Sequence, residues 1–457
     1  MKERLAALGQ ALKLPDVRKR ILYVLMMFAV YVGCAYVPLP GINHQALSRL
    51  MQQGGGSPLG GLGDLLNAFS GGSLRRFSVL ALGIMPYINA SIIFQLLVMA
   101  VPSLEALQKE GEWGQRKIMK WTKYATVGLA LLQAGGFITL FKSMGTTQAP
   151  VFSGGLAITL FDMLMMTAGT CFLMFLGDKI TENGIGQGIS LIIFAGIMTS
   201  MPTQFAATVQ IWRTGTIGLP NLMFLALIFL ATVYVIVYFQ QAQRKIPVQY
   251  AKRVKGTKVY GGGTSYLPLR VNQAGVIPII FAIAVAMFPA TIASVFNYPA
   301  VKNFLVHTLH LSATSVGAAV SALSTKTMPG PSNYWAAGFY FILVIIFTYF
   351  YTAVTFNPEQ IAENLQKSGG TIPGVRPGAK TRDYLDRILY RITLAGALFL
   401  GVIAIMQYYV GPITGVQSFN NIVGGTSLLI VVGVALDTMQ QIEAQLMMRH
   451  YRGFLSS

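Results

Sequence analysis

Long apolar stretches, separated by short polar and basic segments, recur along the whole 457-residue chain. Most of them have about the 20 residues that an α-helix needs to cross a lipid bilayer. The pattern predicts ten transmembrane helices, which we place at Ile21–Val37, Phe77–Met99, Tyr124–Phe141, Ala157–Gly177, Ile185–Met201, Leu222–Phe239, Ala274–Val295, Trp335–Val354, Thr393–Val410 and Ile422–Met439. The predicted fold class is therefore an all-α polytopic membrane protein.

The second apolar stretch carries features that a simple lipid anchor does not need. Pro86 lies in its middle, where we expect it to remove a backbone hydrogen bond and to kink the helix. Ile84 and Ile88 share one face by their i,i+4 spacing. Asn89 and Gln95 carry amides that are costly in lipid unless they are paired, so they should face protein or a wet cavity. The stretch is thus predicted to line a functional path.

The chain contains an internal sequence repeat that suggests two inverted halves. The pattern Gly-x-x-Pro-x-Ile occurs at Gly83–Ile88 in the second span and at Gly275–Ile280 in the seventh, five spans later and hence in the opposite direction. Inverted repeats of this kind place the functional path at their interface. We expect these segments: a cytoplasmic interfacial segment (1–20), the first five spans (21–201), an external loop with the sixth span (202–239), a basic cytoplasmic loop (240–271), the seventh and eighth spans (272–354), a second basic cytoplasmic loop (355–391), the last two spans (392–440) and a cytoplasmic tail (441–457).

The composition excludes a soluble domain. Hydrophobic residues make up 54% of the chain and charged residues 11%, and the mean hydropathy is +0.57, whereas soluble domains have about 25% charged residues. The two cysteines, Cys34 and Cys171, both lie within apolar stretches, so a disulfide framework is not expected.

The basic residues predict the topology. Of 34 Lys and Arg residues, 27 lie at the termini or in every second connection between spans. By the positive-inside rule both termini are cytoplasmic, which agrees with an even number of spans. The formal net charge of +19 also favours contact with anionic lipids, or with an acidic or nucleic-acid partner.

The apolar stretches hold few groups that could perform chemistry. Their acidic residues are Asp162 and Asp437, which we interpret as helix-end or interhelical hydrogen-bonding groups. Ion-coupled carriers generally need ionisable groups near the midplane of the membrane. A solute transporter with inverted repeats is therefore only the second hypothesis, because we find no such site near the midplane. An intramembrane enzyme is a third, for which the sequence shows no catalytic set, and no cofactor or metal is expected.

Nine motifs in order along nearly the whole chain carry a resemblance to a known family. They are Phe69–Gly72, Ala81–Ile88, Ile180–Ser190, Pro268–Asn272, Phe288–Ser294, Phe356–Pro358, Lys367–Gly369, Arg376–Gly378 and Gly424–Ile430. With these motifs the chain resembles the SecY/Sec61 family, whose bacterial members form the pore of the protein translocase. The resemblance implies ten helices in two inverted five-helix halves around an hourglass pore. Such a pore is not an enzyme: it passes unfolded secretory polypeptides across the cytoplasmic membrane and releases membrane proteins laterally into it.

The resemblance also implies roles for particular residues. A plug at about residues 62–74, which closes the pore from outside, would include Leu62, Leu65, Leu66, Asn67 and Phe69. An apolar pore ring, which excludes ions by dewetting, would consist of Ile84, Ile88, Ile193, Ile197, Ile280 and Ile430. A lateral gate toward lipid would carry polar contacts from Asn89, Gln95 and Gln273, for which ordinary interhelical hydrogen bonding is the open alternative.

The two basic cytoplasmic loops are the expected docking surfaces. The residues implied in docking are Arg244, Lys252, Arg253, Lys258 and Arg376. The partners implied by the family are the small subunits SecE and SecG, the SecA motor ATPase, a translating ribosome, polypeptides with a signal sequence and, further, SecDF and YidC, but no DNA. The negatively charged phosphates of ribosomal RNA would bind such cationic loops. For most of the lysines a solvated, inside-positive loop is the simpler interpretation.

Overall fold

The computed structural model describes residues 14–43, 70–144, 155–215, 217–250, 253–255, 258–260, 264–283, 285–286, 333–416 and 425–455. Within these ranges the chain is mainly helical. The helices are α1 (Pro15–Ala35), α2 (Ser73–Arg76), α3 (Met85–Ala100), α4 (Pro102–Lys109), α5 (Glu112–Met144), α6 (Leu156–Asn183), α7 (Gly188–Arg213), α8 (Leu219–Gln241), α9 (Tyr334–Thr355), α10 (Pro358–Lys367), α11 (Ala379–Thr414) and α12 (Thr426–Leu455). A further helical segment begins at residue 277.

Six of the described helices are long and apolar enough to cross a membrane. They are α6, α7, α8, the helix that α9 and α10 form together (Tyr334–Lys367), α11 and α12. Helices α3 and α4 meet the same criteria together, as one span bent by 100°, which gives up to seven. Helices α1 and α5 cover the first and third predicted spans. The predicted class, a helical multi-pass membrane protein, is thus confirmed, while the part of the seventh predicted span from residue 287 onward lies outside the described residues.

The second predicted span begins later than expected. Helix α3 starts at Met85 rather than at Phe77, and Pro86 lies in its first turn rather than mid-span. The expected kink at Pro86 is therefore wrong. In the first turn a proline removes no intrahelical hydrogen bond, and its fixed φ favours a helix start. Residues 77–84 form turns that lead into the helix.

Several other boundaries differ from the hydropathy pattern. Residues 15–20, expected in a separate interfacial segment, belong to α1. The fifth span, expected to end at Met201, continues through Pro202 to Arg213. The last two helices also run beyond their apolar stretches, α11 from Ala379 and α12 to Leu455. Hydropathy marks only the part of a helix that lies in hydrocarbon, whereas backbone hydrogen bonds carry the helix on into water.

The chain divides into two compact units. The first comprises residues 1–216, 290–324 and 430–457, and the second comprises residues 217–289 and 325–429. In the first unit α3, α5 and α6 pack in succession, and α1 packs on α6 and α7. In the second unit α8, α9 and α10 each pack on α11.

The first basic loop folds as a β-hairpin in the second unit. Strand β1 (Gln243–Tyr250) pairs antiparallel with β4 (Thr264–Arg270), and between them β2 (Arg253–Lys255) pairs with β3 (Lys258–Tyr260). A two-residue strand from the second basic loop, β5 (Gly370–Thr371), adds to the free edge of β1. The strand order is β4-β1-β5, so both basic loops contribute to one small sheet.

This sheet packs on the start of α11. Ile246 and Val248, two residues apart on β1, share one face of the strand and are buried. With Leu269 and Ile372 they form a cluster against the buried face of α11, which contributes Leu385, Ile388 and Leu389. Burial of aliphatic side chains contributes about 1.5–3 kcal/mol each. The cluster therefore fixes both basic loops on one helix.

Candidate functional site

The segment from Ser70 to Ile84 is an ordered connection that leads into α3. Gly71 and Gly72 have φ of 66° and 82°, a left-handed conformation that glycine adopts without strain. They turn the chain into the single-turn helix α2, where the Leu74 amide donates to Ser70 Oγ at 3.3 Å. Phe77 ends this turn with φ of 48°, the single non-glycine residue with positive φ in the described chain.

Phe77 is held in this conformation by its surroundings. The Leu39 amide donates to the Phe77 carbonyl, and the Val79 amide donates to the Val37 carbonyl, both at 3.0 Å. The Phe77 side chain is fully buried in an apolar cluster with residues of α5 and α6, among them Ala134 and Met166. Left-handed bulky residues persist only where the surroundings hold them. The segment after α2 is thus bound to the chain that follows α1.

Two glycines and a threonine bring the segment against α6. A Cβ on Gly169 would lie 2.2 Å from the Val79 carbonyl oxygen, so at this point only glycine allows the close approach. Thr170 Oγ1 donates to the Gly83 carbonyl at 3.2 Å. Gly83 in turn packs against Ser70, at 3.4 Å from its ideal Cβ to Ser70 Cβ. The segment is therefore closed on itself as well as fixed to α6.

The isoleucines predicted to form the pore ring occupy two kinds of environment. Ile84 caps the start of α3 and is buried, while Ile88, one turn later, is half-buried. Ile193 and Ile197 are buried on α7, four residues apart and therefore on one face. Ile430, in α12, is also buried, and Ile280, in the second unit, is half-buried. The six-residue ring as a whole stays a prediction.

Most of the predicted plug lies outside the described residues, including Leu62, Leu65, Leu66, Asn67 and Phe69. The predicted gate residues Asn89, Gln95 and Gln273 are all half-buried. Gln95 Nε2 donates to Ser91 Oγ at 3.3 Å within its own helix, so the contact observed for Gln95 is local. The roles of these side chains at a lateral gate stay a prediction.

The predicted docking residues lie on or beside the small sheet. Arg244 is exposed on β1, Arg253 and Lys258 belong to the strands β2 and β3, and Lys252 lies outside the described residues. Arg376 is exposed in the turn between β5 and α11. Its carbonyl accepts a hydrogen bond from Thr381 Oγ1 at 2.9 Å, which fixes the turn while the guanidinium faces solvent.

Three features of these regions are not predicted by the sequence. The first is strand β5 from the second basic loop, because Gly370 and Thr371 carry no strand pattern of their own. The other two are the contacts that Tyr31 and Gly196 make with Gly71. Their sequence neighbourhoods are uniformly apolar, and no single-residue signal distinguishes a glycine in close backbone contact from one that faces lipid.

Comparisons with known proteins agree with these features. The family model for SecY matches residues 78–439. A protein translocase subunit SecY from Halalkalibacterium halodurans is 43% identical over 96% of this chain and 97% of the relative. A solved SecY channel, reported with a plug domain that stabilises its closed state and maintains a membrane seal, has a TM-score of 0.59 at 16% identity, with 96% of each chain covered. Sec61 in a canine ribosome–channel complex from the endoplasmic reticulum has a TM-score of 0.55 at 15% identity, also with 96% of each chain covered.

The fold is therefore that of the protein-conducting channels, a class of helical multi-pass membrane proteins. The SecY family model matches most of the chain, and a SecY relative is 43% identical over almost its full length. These two findings assign the chain to a family. The chain belongs to the SecY family. Its function is accordingly that of a protein translocase subunit, a channel through which polypeptides cross a membrane.

Proposed function

We propose that the chain forms the polypeptide-conducting pore of a bacterial translocase in the cytoplasmic membrane. Unfolded secretory polypeptides would cross through the pore, and membrane proteins would leave it sideways into lipid. The observation that supports this most is the ordered connection Ser70–Ile84, because its first residues belong to the predicted plug and its last is the first predicted ring residue. Gly71 at the start of this segment contacts Gly196, the residue before Ile197 on α7.

The proposed ring acts as a gate that needs no charged groups. A narrow constriction of branched aliphatic side chains is poorly hydrated, so ions meet an unfavourable gap when no polypeptide is present. Ile84, Ile193 and Ile197 lie in the first unit and are buried. Branched side chains can change between staggered rotamers, so they would move aside for a passing polypeptide and then close around it.

The small sheet and the turn at Arg376 are the proposed docking surface. The sheet unites both basic loops on α11, and Arg244 and Arg376 are exposed there. We propose that this surface binds the SecA ATPase or a ribosome, since the chain itself carries no recognisable nucleotide-binding motif. SecE and SecG would complete the channel, with signal-bearing polypeptides as its substrates and SecDF, YidC and anionic lipids as further partners. The sheet would face the cytoplasm, as would both termini.

We propose a channel rather than an enzyme or a solute carrier. A carrier would need a polar or charged site near the midplane. Among the described residues no group of three or more His, Cys, Asp or Glu side chains could hold a metal ion. Asp162 is a buried acidic residue that makes interactions in the structure, which fits the interpretation as an interhelical group. No cofactor is proposed.

Reconstitution of the chain with SecE, SecG, SecA and ATP in liposomes tests the proposal. ATP-dependent protection of a signal-bearing precursor from protease is the expected result. Arg376→Glu should abolish this protection, because it reverses the charge of an exposed docking residue. Arg116→Glu is the matched control, since Arg116 is also exposed but pairs with Glu112 in its own helix. A folded wild-type complex that gives no protection would reject the proposal.

A further inference from the structure

The Gly83 carbonyl oxygen, at the start of α3, is buried and therefore needs a hydrogen-bond donor. At a turn or a helix start this donor is usually the backbone N–H three or four residues later. Three residues after Gly83 the chain has Pro86, which carries no N–H. Four residues after Gly83, the Tyr87 amide donates to the Ile84 carbonyl at 3.1 Å instead. The donor for Gly83 consequently has to come from another part of the fold.

Thr170 supplies this donor from α6. Thr170 Oγ1 donates to the Gly83 carbonyl at 3.2 Å, and Thr170 is 1% exposed. The same hydroxyl lies 3.4 Å from the Met166 carbonyl of its own helix, so the contact with Gly83 is the shorter of the two. The preceding residue, Gly169, allows the close approach, since a Cβ there would lie 2.2 Å from the Val79 carbonyl oxygen. Two consecutive residues of α6 thus hold the connection that leads into α3.

The hydrogen bond from Thr170 fixes the peptide group that carries Ile84. The Gly83 carbonyl and the Ile84 nitrogen belong to one planar peptide unit, so the orientation of the carbonyl sets the direction in which the chain continues at Ile84. The Ile84 carbonyl in turn accepts the Ile88 amide at 3.1 Å. A change at Thr170 is therefore transmitted through the backbone to both of these predicted ring residues.

We propose that Thr170 is a positioning residue of the pore ring, whose hydroxyl holds the Gly83–Ile84 peptide so that the Ile84 and Ile88 side chains are directed into the ring. This inference rests on the proposed function, because the ring is part of the proposed channel. Thr170 acts through Ile84 and not by contact with the polypeptide. If Thr170 only stabilised the packing of α6, its loss would lower stability and leave the ring unchanged.

Three variants of the reconstituted complex separate these roles. Thr170→Val removes the hydroxyl and keeps the branched shape, so the Gly83 carbonyl loses its donor at almost unchanged packing volume. Thr170→Ser keeps the hydroxyl and loses only a methyl group. Thr167→Val is the matched control, because Thr167 lies three residues earlier on α6, is 5% exposed, and donates to the Met163 carbonyl of its own helix at 2.8 Å.

The measurement is the resting ion conductance in planar bilayers without a translocating polypeptide. Thr170→Val should raise it by about tenfold, a population change that corresponds to about 1.4 kcal/mol. Thr170→Ser and Thr167→Val should both stay close to wild type. Equal conductance of the Thr170→Val and Thr167→Val variants, or a Thr170→Ser variant that conducts as much as Thr170→Val, would overturn the proposal.

A double-mutant cycle tests whether Thr170 acts through Ile84. Ile84→Ala removes most of the side chain that the hydrogen bond places, and it should itself raise the conductance, because a wider apolar constriction is better hydrated. Adding Thr170→Val to Ile84→Ala should then have much less effect than it has in the wild type. Fully additive effects would show that Thr170 acts independently of Ile84 and would overturn the proposal.

Thr170→Ala takes the place of Thr170→Val if the valine variant does not assemble, since it removes the hydroxyl without adding bulk, and the same outcomes apply. The conductance assay needs no translocation, whereas the protease-protection assay does. A folded wild-type complex that gives no protection would reject the proposed function. A complex that translocates, but whose conductance does not respond to loss of the Thr170 hydroxyl, would reject only this inference.

Discussion

Gly83 and Gly275 adopt the same left-handed backbone conformation, with φ of 57° and 63°, at equivalent positions of the two Gly-x-x-Pro-x-Ile patterns. In each copy the helix begins two residues after the glycine, and the proline, Pro86 or Pro278, follows in the first turn. The equivalent turn hydrogen bonds are Tyr87 N to Ile84 O and Ile279 N to Val276 O, both 3.1 Å. The internal sequence repeat thus corresponds to a repeated local structure: a turn at a glycine, followed by a helix with proline in its first turn.

Alanine at either glycine should destabilise the protein, because a left-handed backbone costs an L-residue about 1–2 kcal/mol. A Cβ on Gly275 meets nothing within 4 Å, so Gly275→Ala should show this backbone cost alone. Gly83→Ala should lower the thermal midpoint by a similar amount, since its Cβ would lie 3.4 Å from Ser70 Cβ, an ordinary contact distance. Gly338→Ala, in helix α9 without a positive φ and with nothing within 4 Å of its Cβ, is the control in the purified complex and should not lower the midpoint. An unchanged midpoint for Gly275→Ala would contradict the assigned conformation.

Gly169→Ala should be far more damaging than an alanine substitution at a helical glycine that has open space around it, such as Gly128. Its Cβ would lie 2.2 Å from the Val79 carbonyl oxygen, so α6 and the connection before α3 must separate. Overpacking of this kind typically costs about 1–3 kcal/mol. Gly128→Ala is the opposite case, since it has nothing within 4 Å in α5 and alanine there should stabilise the helix by up to ~1 kcal/mol. Thermal unfolding of both variants measures the difference, and equal midpoints would rule out the close approach.

The general class of the fold follows from the sequence, but the contacts that position the site do not. Hydropathy identifies helices because a bilayer demands about 20 apolar residues. It cannot locate where a helix starts, so Pro86 was expected to lie mid-span when it lies in the first turn. Nor can it identify Gly71 and Gly196 as partners, because their contact is between backbones distant in sequence.

The small sheet shows the same limit. A hairpin in the first basic loop agrees with its sequence, because alternating Ile246 and Val248 indicate a strand with one buried face. Strand β5 has only two residues, and its pairing with β1 depends on the tertiary position of Gly370 beside Tyr250. Strand propensity in so short a segment is overridden by context.

The ion pair between Lys123 and Asp178 should contribute little to stability, although it joins α5 and α6. The two side chains are 34% and 37% exposed, and pairs accessible to solvent contribute about 0–1 kcal/mol. A double-mutant cycle with Lys123→Gln and Asp178→Asn measures the coupling free energy directly. We expect less than ~1 kcal/mol, decreasing as salt is raised. A coupling of several kcal/mol that does not respond to salt would show that the pair is buried in the assembled complex.

A substitution in the second basic loop should loosen the first, because β5 pairs with β1. A Cβ on Gly370 would already lie 3.1 Å from both Tyr250 Cε1 and Val248 Cγ1, and 3.3 Å from Leu365 Cδ2. Gly370→Val therefore cannot keep the strand in register without displacing all three side chains. The same change should expose the apolar cluster that fixes the sheet on α11.

Limited trypsin digestion of the reconstituted complex measures this coupling. Trypsin cleaves after Lys and Arg, which are present in both loops, so their cleavage rates can be followed in one experiment. With Gly370→Val we expect both loops to be cut several-fold faster, since local opening controls cleavage of ordered segments. Gly338→Ala, whose Cβ meets nothing within 4 Å, should leave both rates unchanged. Faster cleavage confined to the second loop would mean that β5 does not hold the two loops together, and the docking surface would then be two independent loops rather than one sheet.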